Sequence, residues 1–308
     1  MNGLLIIDKA QGMTSHDVVA RARRLLREKR IGHAGTLDPM ATGVLVLCIG
    51  HATRLSEYLL GEDKAYEGVI VLGVQTNTDD AEGEVIAIRP VPAMDDADLR
   101  RLEHLFSGEI EQVPPQFSAI QKGGQRAYAL ARKGEMVELD ARRVTIHEIH
   151  LNAEQASDAG ALRSALCVSV RCSAGTYIRS LARDIGAALG CGGHLAALRR
   201  TQAGTFALQD AITLEQLEQA AQEGRAEALL LPMDRAVTSW PAVQLDDAQT
   251  RKLLNGQRLL LPLPVGEGWR EGALLRTCDA RGNFIAISQW DGKMLAPVKV
   301  FDATFPHV

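Results

Sequence analysis

The chain is predicted to fold as a mixed α+β protein with a small β-barrel at its C-terminal end. Three observations point there. Apolar runs of strand length interleave with segments of helical spacing, but without the strict strand–helix alternation of a parallel sheet. A Glu- and Ala-rich helical stretch, 214–229, is closed by Leu230-Leu231-Pro232, which reads as a boundary. Beyond it come one helix and several short strands. Of the 308 residues, 1–232 are assigned to a larger domain and 233–308 to a smaller one.

Leu4-Leu5-Ile6-Ile7 predicts a short strand ended by Asp8-Lys9-Ala10-Gln11-Gly12. Thr14 or Ser15 then caps a helix in which Val18, Val19, Ala22, Leu25 and Leu26 keep helical spacing. The apolar run 44–50, bounded by glycines, predicts a buried strand, followed by a helix carrying Leu55, Leu59 and Leu60. A strand is expected over 66–74, a turn over 76–83 and a strand over 84–89. The segment 95–106 fits an amphipathic helix with Leu99, Leu102 and Phe106 on one side. A strand over 162–171 leads into a helix with Ile178, Leu181, Ala182, Ile185 and Leu189. In the tail, a helix over 246–254 precedes strands near Leu259 and over 273–277, 284–290 and 298–301. Asp279-Ala280-Arg281-Gly282 supplies a hairpin connection.

A hydrophobic content of 46% suffices for sizeable cores. The formal charge of −4 does not suggest a nucleic-acid partner, but the average hides an asymmetry. Arg21, Arg23, Arg24, Arg27, Lys29 and Arg30 stand against Glu28 alone, and Arg171, Arg179, Arg183, Arg199 and Arg200 against Asp184. A basic face with acidic flanks suits a polyanion. For the first cluster, a solvated helix face laced with ion pairs is the alternative. The five cysteines are scattered and odd in number, so no disulfide framework is suggested. Asp8 and Lys9 follow too few apolar residues for a signal segment, and no span approaches membrane length, so a cytoplasmic protein is expected.

The most informative stretch is 32–43, Gly-His-Ala-Gly-Thr-Leu-Asp-Pro-Met-Ala-Thr-Gly, because it isolates one carboxylate on a turn. Pro39 fixes its own φ and pushes Asp38 towards an extended conformation. Gly32, Gly35 and Gly43 allow unusual backbone geometry or close approach. Asp38 is thus expected on a loop entering a core strand, where chemistry concentrates. By itself an Asp-Pro pair is also an ordinary turn.

The whole string resembles the catalytic motif of the bacterial tRNA pseudouridine-55 synthases, the TruB family, in which the aspartate of G-T-L-D-P is the nucleophile. Asp8-Lys9-Ala10-Gln11-Gly12-Met13-Thr14-Ser15 resembles the family's opening motif, with Ala10 where proline is usual. Lys9 is there a phosphate contact. Lys64-Ala65-Tyr66 matches K-x-Y, whose tyrosine stacks on the target base and serves as a base late in the reaction. In 175–186 Arg179 takes the place of the arginine that pairs with the nucleophile, and Tyr177 lines the uridine pocket. A close arginine lowers a carboxylate pKa by ~1–3 units and opposes desolvation, keeping a nucleophile ionised. In 198–206 Leu198 closes the pocket, while Arg199 and Arg200 suit phosphates. A looser match covers 114–119 with Gly124 and Tyr128; Phe117 replaces tyrosine, and Gln121 replaces lysine, with Lys122 one step on. Thr76-Asn77-Thr78-Asp79-Asp80 resembles a family turn, with Asn77 at its first acid, and reads as hydrogen bonding within the turn.

The resemblance covers residues 4–206, and the tail from 241 to 301 resembles a small PUA-like RNA-binding barrel. It implies the pseudouridine-synthase mixed-sheet core and isomerisation of uridine 55 in the tRNA T-loop. Asp38, Tyr66 and Arg179 are then catalytic, and His33, Lys9, Lys64, Tyr177, Leu198, Arg199 and Arg200 bind substrate. The reaction is redox-neutral, so no cofactor or metal is expected; the partner is the T-arm of tRNA, with no membrane and no obligate protein partner. Three rivals are a guide-dependent relative, a tRNA-binding folding factor with secondary catalysis, and an Asp-based glycosidase. The last requires a second catalytic carboxylate and no Arg179 beside Asp38.

Overall fold

The computed structural model describes residues 1–118, 130, 138–153, 164–261 and 269–301, and the backbone of 121–122 and 125–126. The first strand outruns its apolar stretch: β1 spans Gly3–Lys9. Two strands follow the first helix, β2 at Ile31–Ala34 and β3 at Thr42–Ile49. Strand β1 pairs antiparallel with β3 from Gly3 opposite Ile49 to Lys9 opposite Gly43. Both read as continuous apolar runs because both are covered on two faces. Leu5, Ile7, Leu45 and Leu47 join one core with Val18, Val19 and Ala22 of the helix Ser15–Leu26. Leu4, Ile6, Val44 and Val46 join a second with Leu55, Leu59, Ile287 and Phe301.

The sheet continues through β4 (Lys64–Leu72) and β7 (Gly108–Gln112), between which β5 (Val74–Thr76) and β6 (Val85–Ile88) form a separate two-stranded hairpin. Strands β8 and β9 are the two-residue pair Gln121–Lys122 and Gln125–Arg126. Then come β10 (Arg142–Ala153), β11 (Ser164–Cys172), β12 (Gly193–Ala203) and β13 (Phe206–Ala207). The main sheet has nine strands, in the order β1-β3-β12-β4-β11-β10-β7, with β2 on β3 and β13 on β12. One pairing, β12 with β3, is parallel; the others in this sheet are antiparallel. This is the mixed sheet expected.

Several elements differ from the sequence expectation. Gly32 and His33 sit in β2, paired with Cys48 and Leu47, rather than on the turn. Strand β12 carries the motif Leu198-Arg199-Arg200 through the middle of the sheet; two adjacent arginines hide its strand character from any apolar count. Strands β7 and β10 add to the sequence expectation; Glu109 and Glu111 in one and Arg142, Arg143 and Glu148 in the other break up the apolar pattern that would mark them. The helix beginning at Leu214 stops at Gln222, where Gly224 takes a φ of 71°, and a 3₁₀ turn, Ala226–Leu229, follows. Leu162 and the end of the tail after Phe301 lie outside the described residues, as do Ala119, Gly124 and Tyr128.

Helix starts follow the sequence closely. Thr14 closes a capping box with Asp17, Asp95 with Asp98, and Asp246 with Gln249. The expected barrel is a five-stranded half-barrel: β14 (Ala242–Gln244), β15 (Leu259–Leu260), β16 (Leu274–Cys278), β17 (Phe284–Trp290) and β18 (Met294–Val300), ordered β14-β16-β17-β18-β15. Leu245, Leu253, Leu275, Trp290 and Leu295 form its core. The Asp279 turn closes as a hairpin, with Asp279 Oδ1 accepting from Arg281 N and Asn283 N. Tyr58 meets Trp240 edge-on at 4.9 Å, so the tail is seated on the larger unit. No helix of the described residues is long and apolar enough to cross a membrane.

Candidate active site

The Asp38 loop is held at both ends by backbone that only glycine accepts readily. Gly35 has a φ of 93° and Gly43 of 99°, and a Cβ on Gly43 would stand 2.2 Å from the Arg200 carbonyl oxygen. Gly32 needs neither freedom. Between these ends Ser15 Oγ donates to Leu37 O and accepts from Leu37 N, and Gly12 N donates to Pro39 O at 2.8 Å. Leu37, Met40 and Ala41 are buried, so the turn has one orientation and presents Asp38 with 36% of its side chain exposed.

Arg179 meets that carboxylate from the first turn of the helix Ile178–Ala188. Its Nε lies 3.0 Å from Asp38 Oδ2, although the Nε–H is not aimed at it; the directed bond runs from Nη2 to Asp38 Oδ1 at 3.2 Å. Nη2 also donates to Phe117 O at 3.0 Å and Nη1 to Thr78 O at 3.1 Å. Nη1 is 3.4 Å from Asp80 Oδ2. Asp184, the local alternative partner of Arg179, pairs with Arg183 instead, which also reaches Asp79 at 3.0 Å. The turn 76–80 therefore does more than bond to itself. It presents Asp79 and Asp80 to two arginines of one helix, which the adjacent acids hinted at without saying to whom. That helix has no acid in its own first turn, and Asp38 and Asp80 bring negative charge to its positive end.

Burial pushes the Asp38 carboxyl above its ordinary value; Arg179 opposes this, and the like charge of Asp80 reinforces it. From the motif alone the arginine is expected to prevail. The structure keeps the arginine but gives the larger effect to desolvation, because Leu37, Met40 and Ala41 withdraw the loop from water. A second carboxylate does lie near Asp38, yet Arg179 bridges the two, so the glycosidase geometry is not present.

The Asp38 charge in turn acts on Tyr66, Tyr177 and Lys9, which share its neighbourhood. Burial raises the Tyr66 phenol and Arg200 opposes it; burial likewise raises Tyr177. Tyr177 is fixed at the helix start by Gln112, a buried residue absent from the sequence reading, whose Oε1 accepts Tyr177 N at 2.8 Å. His33 packs edge-on against His16 at 5.4 Å, and its Nδ1 is buried without a partner among the described residues. Burial, His16 and Arg200 hold its imidazole below the usual range, hence neutral.

Three of the expected phosphate and substrate contacts are placed elsewhere. Lys9 is fully buried, and its ammonium donates to Ala10 O, Met13 O and Pro39 O at 3.0, 2.7 and 3.2 Å. All three of its donors are consumed, two in the turn that follows β1 and one, to Pro39 O, in tying β1 to the Asp38 loop. Lys64 is buried and donates to Leu60 O and Glu62 O. Arg200 is 1% exposed and donates to Val44 O at 2.7 Å, Gly35 O at 3.1 Å and Thr36 O at 3.5 Å. Arg199 keeps 39% of its side chain exposed and pairs with Asp8 at 2.7 Å. With Leu198, Met40 and Thr42 it lines a groove of about 540 Å³, which neither Asp38 nor Tyr66 lines. The second basic cluster is thus largely compensated. Its acids, at 8, 38, 63, 79 and 80, are remote in sequence and invisible to a local charge count.

The fold defines a pseudouridine synthase. Over 97% of its length the chain superposes on the structure titled "Crystal Structure of a Cbf5-Nop10-Gar1 Complex", with a TM-score of 0.73, 27% identity and 85% of that chain covered. It matches "Structure of H/ACA RNP bound to a substrate RNA containing 2'-deoxyuridine" with a TM-score of 0.72 and 26% identity, covering 97% of this chain and 85% of that one. Residues 23–178 match the family model described as "TruB family pseudouridylate synthase (N terminal domain)". Residues 179–238 match "tRNA pseudouridylate synthase B C-terminal domain", and 241–301 "Pseudouridine synthase II TruB, C-terminal". The tRNA pseudouridine synthase B of Ralstonia pickettii is 45% identical over 307 residues, covering 97% of this chain and 94% of the relative. That of Pseudomonas aeruginosa is 46% identical over 301 residues, covering 96% and 95%. The chain belongs to the TruB family of pseudouridylate synthases.

Proposed function

We propose that the chain isomerises uridine 55 in the T-loop of tRNA to pseudouridine, with Asp38 as the group that attacks the ribose. The observation that carries the reading is the pairing of Asp38 with Arg179 at 3.0 Å beside Tyr66 and Tyr177. The N1–C1′ bond breaks, the uracil turns in the pocket, C5 bonds to C1′, the C5 proton leaves and N1 takes up a proton. Asp38 either adds to C1′ or initiates elimination; both need the carboxylate, and the Arg179 charge favours that form.

A stacked uridine is out of reach, so it must be flipped out at a few kcal/mol, against which Tyr66 stacking returns ~1–3 kcal/mol. The Tyr66 phenol stays neutral at rest, which suits stacking, and the Arg200 charge favours the phenolate when a proton must be accepted or passed. Tyr177 and Leu198 complete the pocket, and His33 holds the flipped nucleotide or the loop it leaves. Arg199 supplies a phosphate contact at the groove margin, and residues 233–308 add RNA surface. A tRNA modification of this kind places the protein in the cytoplasm.

The test is tritium release from tRNA labelled at uridine C5, with wild type and Asp38→Asn side by side. Release by wild type alone, mapped to the T-loop uridine, is expected. Tight tRNA binding without release by wild type overturns the enzyme reading and leaves an RNA-folding one.

A further inference from the structure

Arg200 combines three features that a phosphate contact does not need. Its side chain is buried to 1% exposure inside the sheet. Its guanidinium donates to carbonyls on both limbs of the catalytic loop: Gly35 and Thr36 before Asp38, and Val44 after it. It is also the cross-strand partner of Tyr66 in the β12–β4 ladder, so the two side chains share a face. Backbone reinforces this join, since β12 runs parallel to β3 through Arg200 opposite Gly43, the glycine whose missing Cβ lets the strands touch.

We propose that Arg200 is a positioning residue that locks the Asp38 loop and Tyr66 into one rigid unit, so that the attacking carboxylate and the base-stacking ring keep a fixed separation. The planar fork serves these carbonyls from three separate nitrogens, Nε to Val44 O, Nη1 to Thr36 O and Nη2 to Gly35 O; an ammonium carries its donors on one atom and does not reproduce that spacing. The buried charge also serves the ring it faces, opposing the desolvation of the Tyr66 phenol and helping to keep His33 neutral. The inference rests on the synthase reading above and assigns Arg200 to geometry where that reading, from sequence, had assigned it to the RNA backbone.

The two roles predict opposite kinetics. Arg200→Lys and Arg200→Met are compared with wild type by tritium release and by tRNA affinity at two salt concentrations. A positioning role gives both variants a kcat lower by about 10²-fold, with Kd within about threefold of wild type and the salt dependence of binding unchanged. Lysine gives no rescue. A phosphate contact gives the reverse: the lysine variant retains kcat, and the methionine variant loses affinity and salt dependence, which overturns the proposal. Melting curves establish that the variants fold. If neither does, phenylglyoxal labelling of the wild type decides, because it reads Arg200 directly: the buried guanidinium is expected to stay unmodified with or without tRNA, and modification that tRNA prevents overturns the proposal. No release by wild type overturns the synthase reading and this inference with it; a fully active Arg200→Lys overturns this inference alone.

Discussion

Asp38 and Asp80 share one guanidinium: Arg179 Nε lies 3.0 Å from Asp38 Oδ2, and Nη1 lies 3.4 Å from Asp80 Oδ2. A lone buried arginine needs compensating charge, and a lone buried nucleophile needs a cation. With two acids on one base, Arg179 stays compensated while Asp38 is engaged with substrate. The arrangement also leaves Asp38 less stabilised than a private ion pair would.

That sharing sets the pH dependence. Burial and Asp80 raise the Asp38 carboxyl above 3.8, its ordinary value, and only the ionised form is competent. The acid limb of kcat/KM is therefore expected above the ordinary carboxylate range. Asp80→Asn removes the like charge and frees Arg179 for Asp38, so the limb is expected to move to lower pH. The plateau falls as well, because Arg179 then keeps only the Thr78 and Phe117 carbonyls besides Asp38. A pH–rate profile of both proteins checks this, and a limb that stays put or moves up would sink it.

Asp38→Asn is expected to raise the melting temperature at neutral pH while abolishing turnover. The sign follows from linkage. A carboxyl whose folded pKa is raised contributes stability below its unfolded value, and that contribution is lost as pH rises through the folded value. At neutral pH the ionised, partly buried Asp38 therefore opposes folding, and asparagine relieves it. Arg179 does not become an orphan, since Asp80, Thr78 O and Phe117 O remain. Melting curves at pH 7 and near pH 4 should show the gain shrinking as the solution is acidified.

What sequence could reveal here divides along physical lines. Capping residues and apolar runs are local, so the helix 15–26, its Thr14 cap and strand β3 were legible. The pairing of Asp38 with Arg179 was legible only through the family resemblance, as the residues are 141 positions apart. The fates of Lys9, Lys64 and Arg200 were not legible. A lysine that gives its protons to carbonyls looks in sequence like one that gives them to phosphates, and only burial separates them. Asp80 and Gln112 were missed for the same reason: each finds its partner, Arg179 or Tyr177, across the fold.

Lys9→Met tests that distinction directly. It leaves the carbonyls of Ala10, Met13 and Pro39 without their shared donor, and an unsatisfied buried acceptor costs about 1–3 kcal/mol. A lower melting temperature and a lower kcat are expected, because Pro39 adjoins the nucleophile. The salt dependence of tRNA binding should not change. A smaller salt slope with an unchanged melting temperature would return Lys9 to the phosphates.

Affinity for tRNA should instead depend on the first basic cluster. Arg21 is engaged by Glu215 and Glu218, and Arg23 donates to Ile31 O, but the side chains of Arg24, Arg27 and Lys29 make no ion pair or hydrogen bond among the described residues. These three line one concavity at the end of the helix 15–26, and the chain runs from there through β2 into the Asp38 loop. Uncompensated cations beside a path to the site are where a polyanion releases counterions. Replacing Arg24 and Arg27 by alanine is expected to weaken tRNA binding and to flatten its log–log salt dependence by up to ~0.9 for each phosphate no longer neutralised. Turnover at saturating tRNA should remain near wild type, since neither side chain touches the loop. Unchanged affinity and slope would mean that this cluster is a solvated helix end and that the RNA lies across another face.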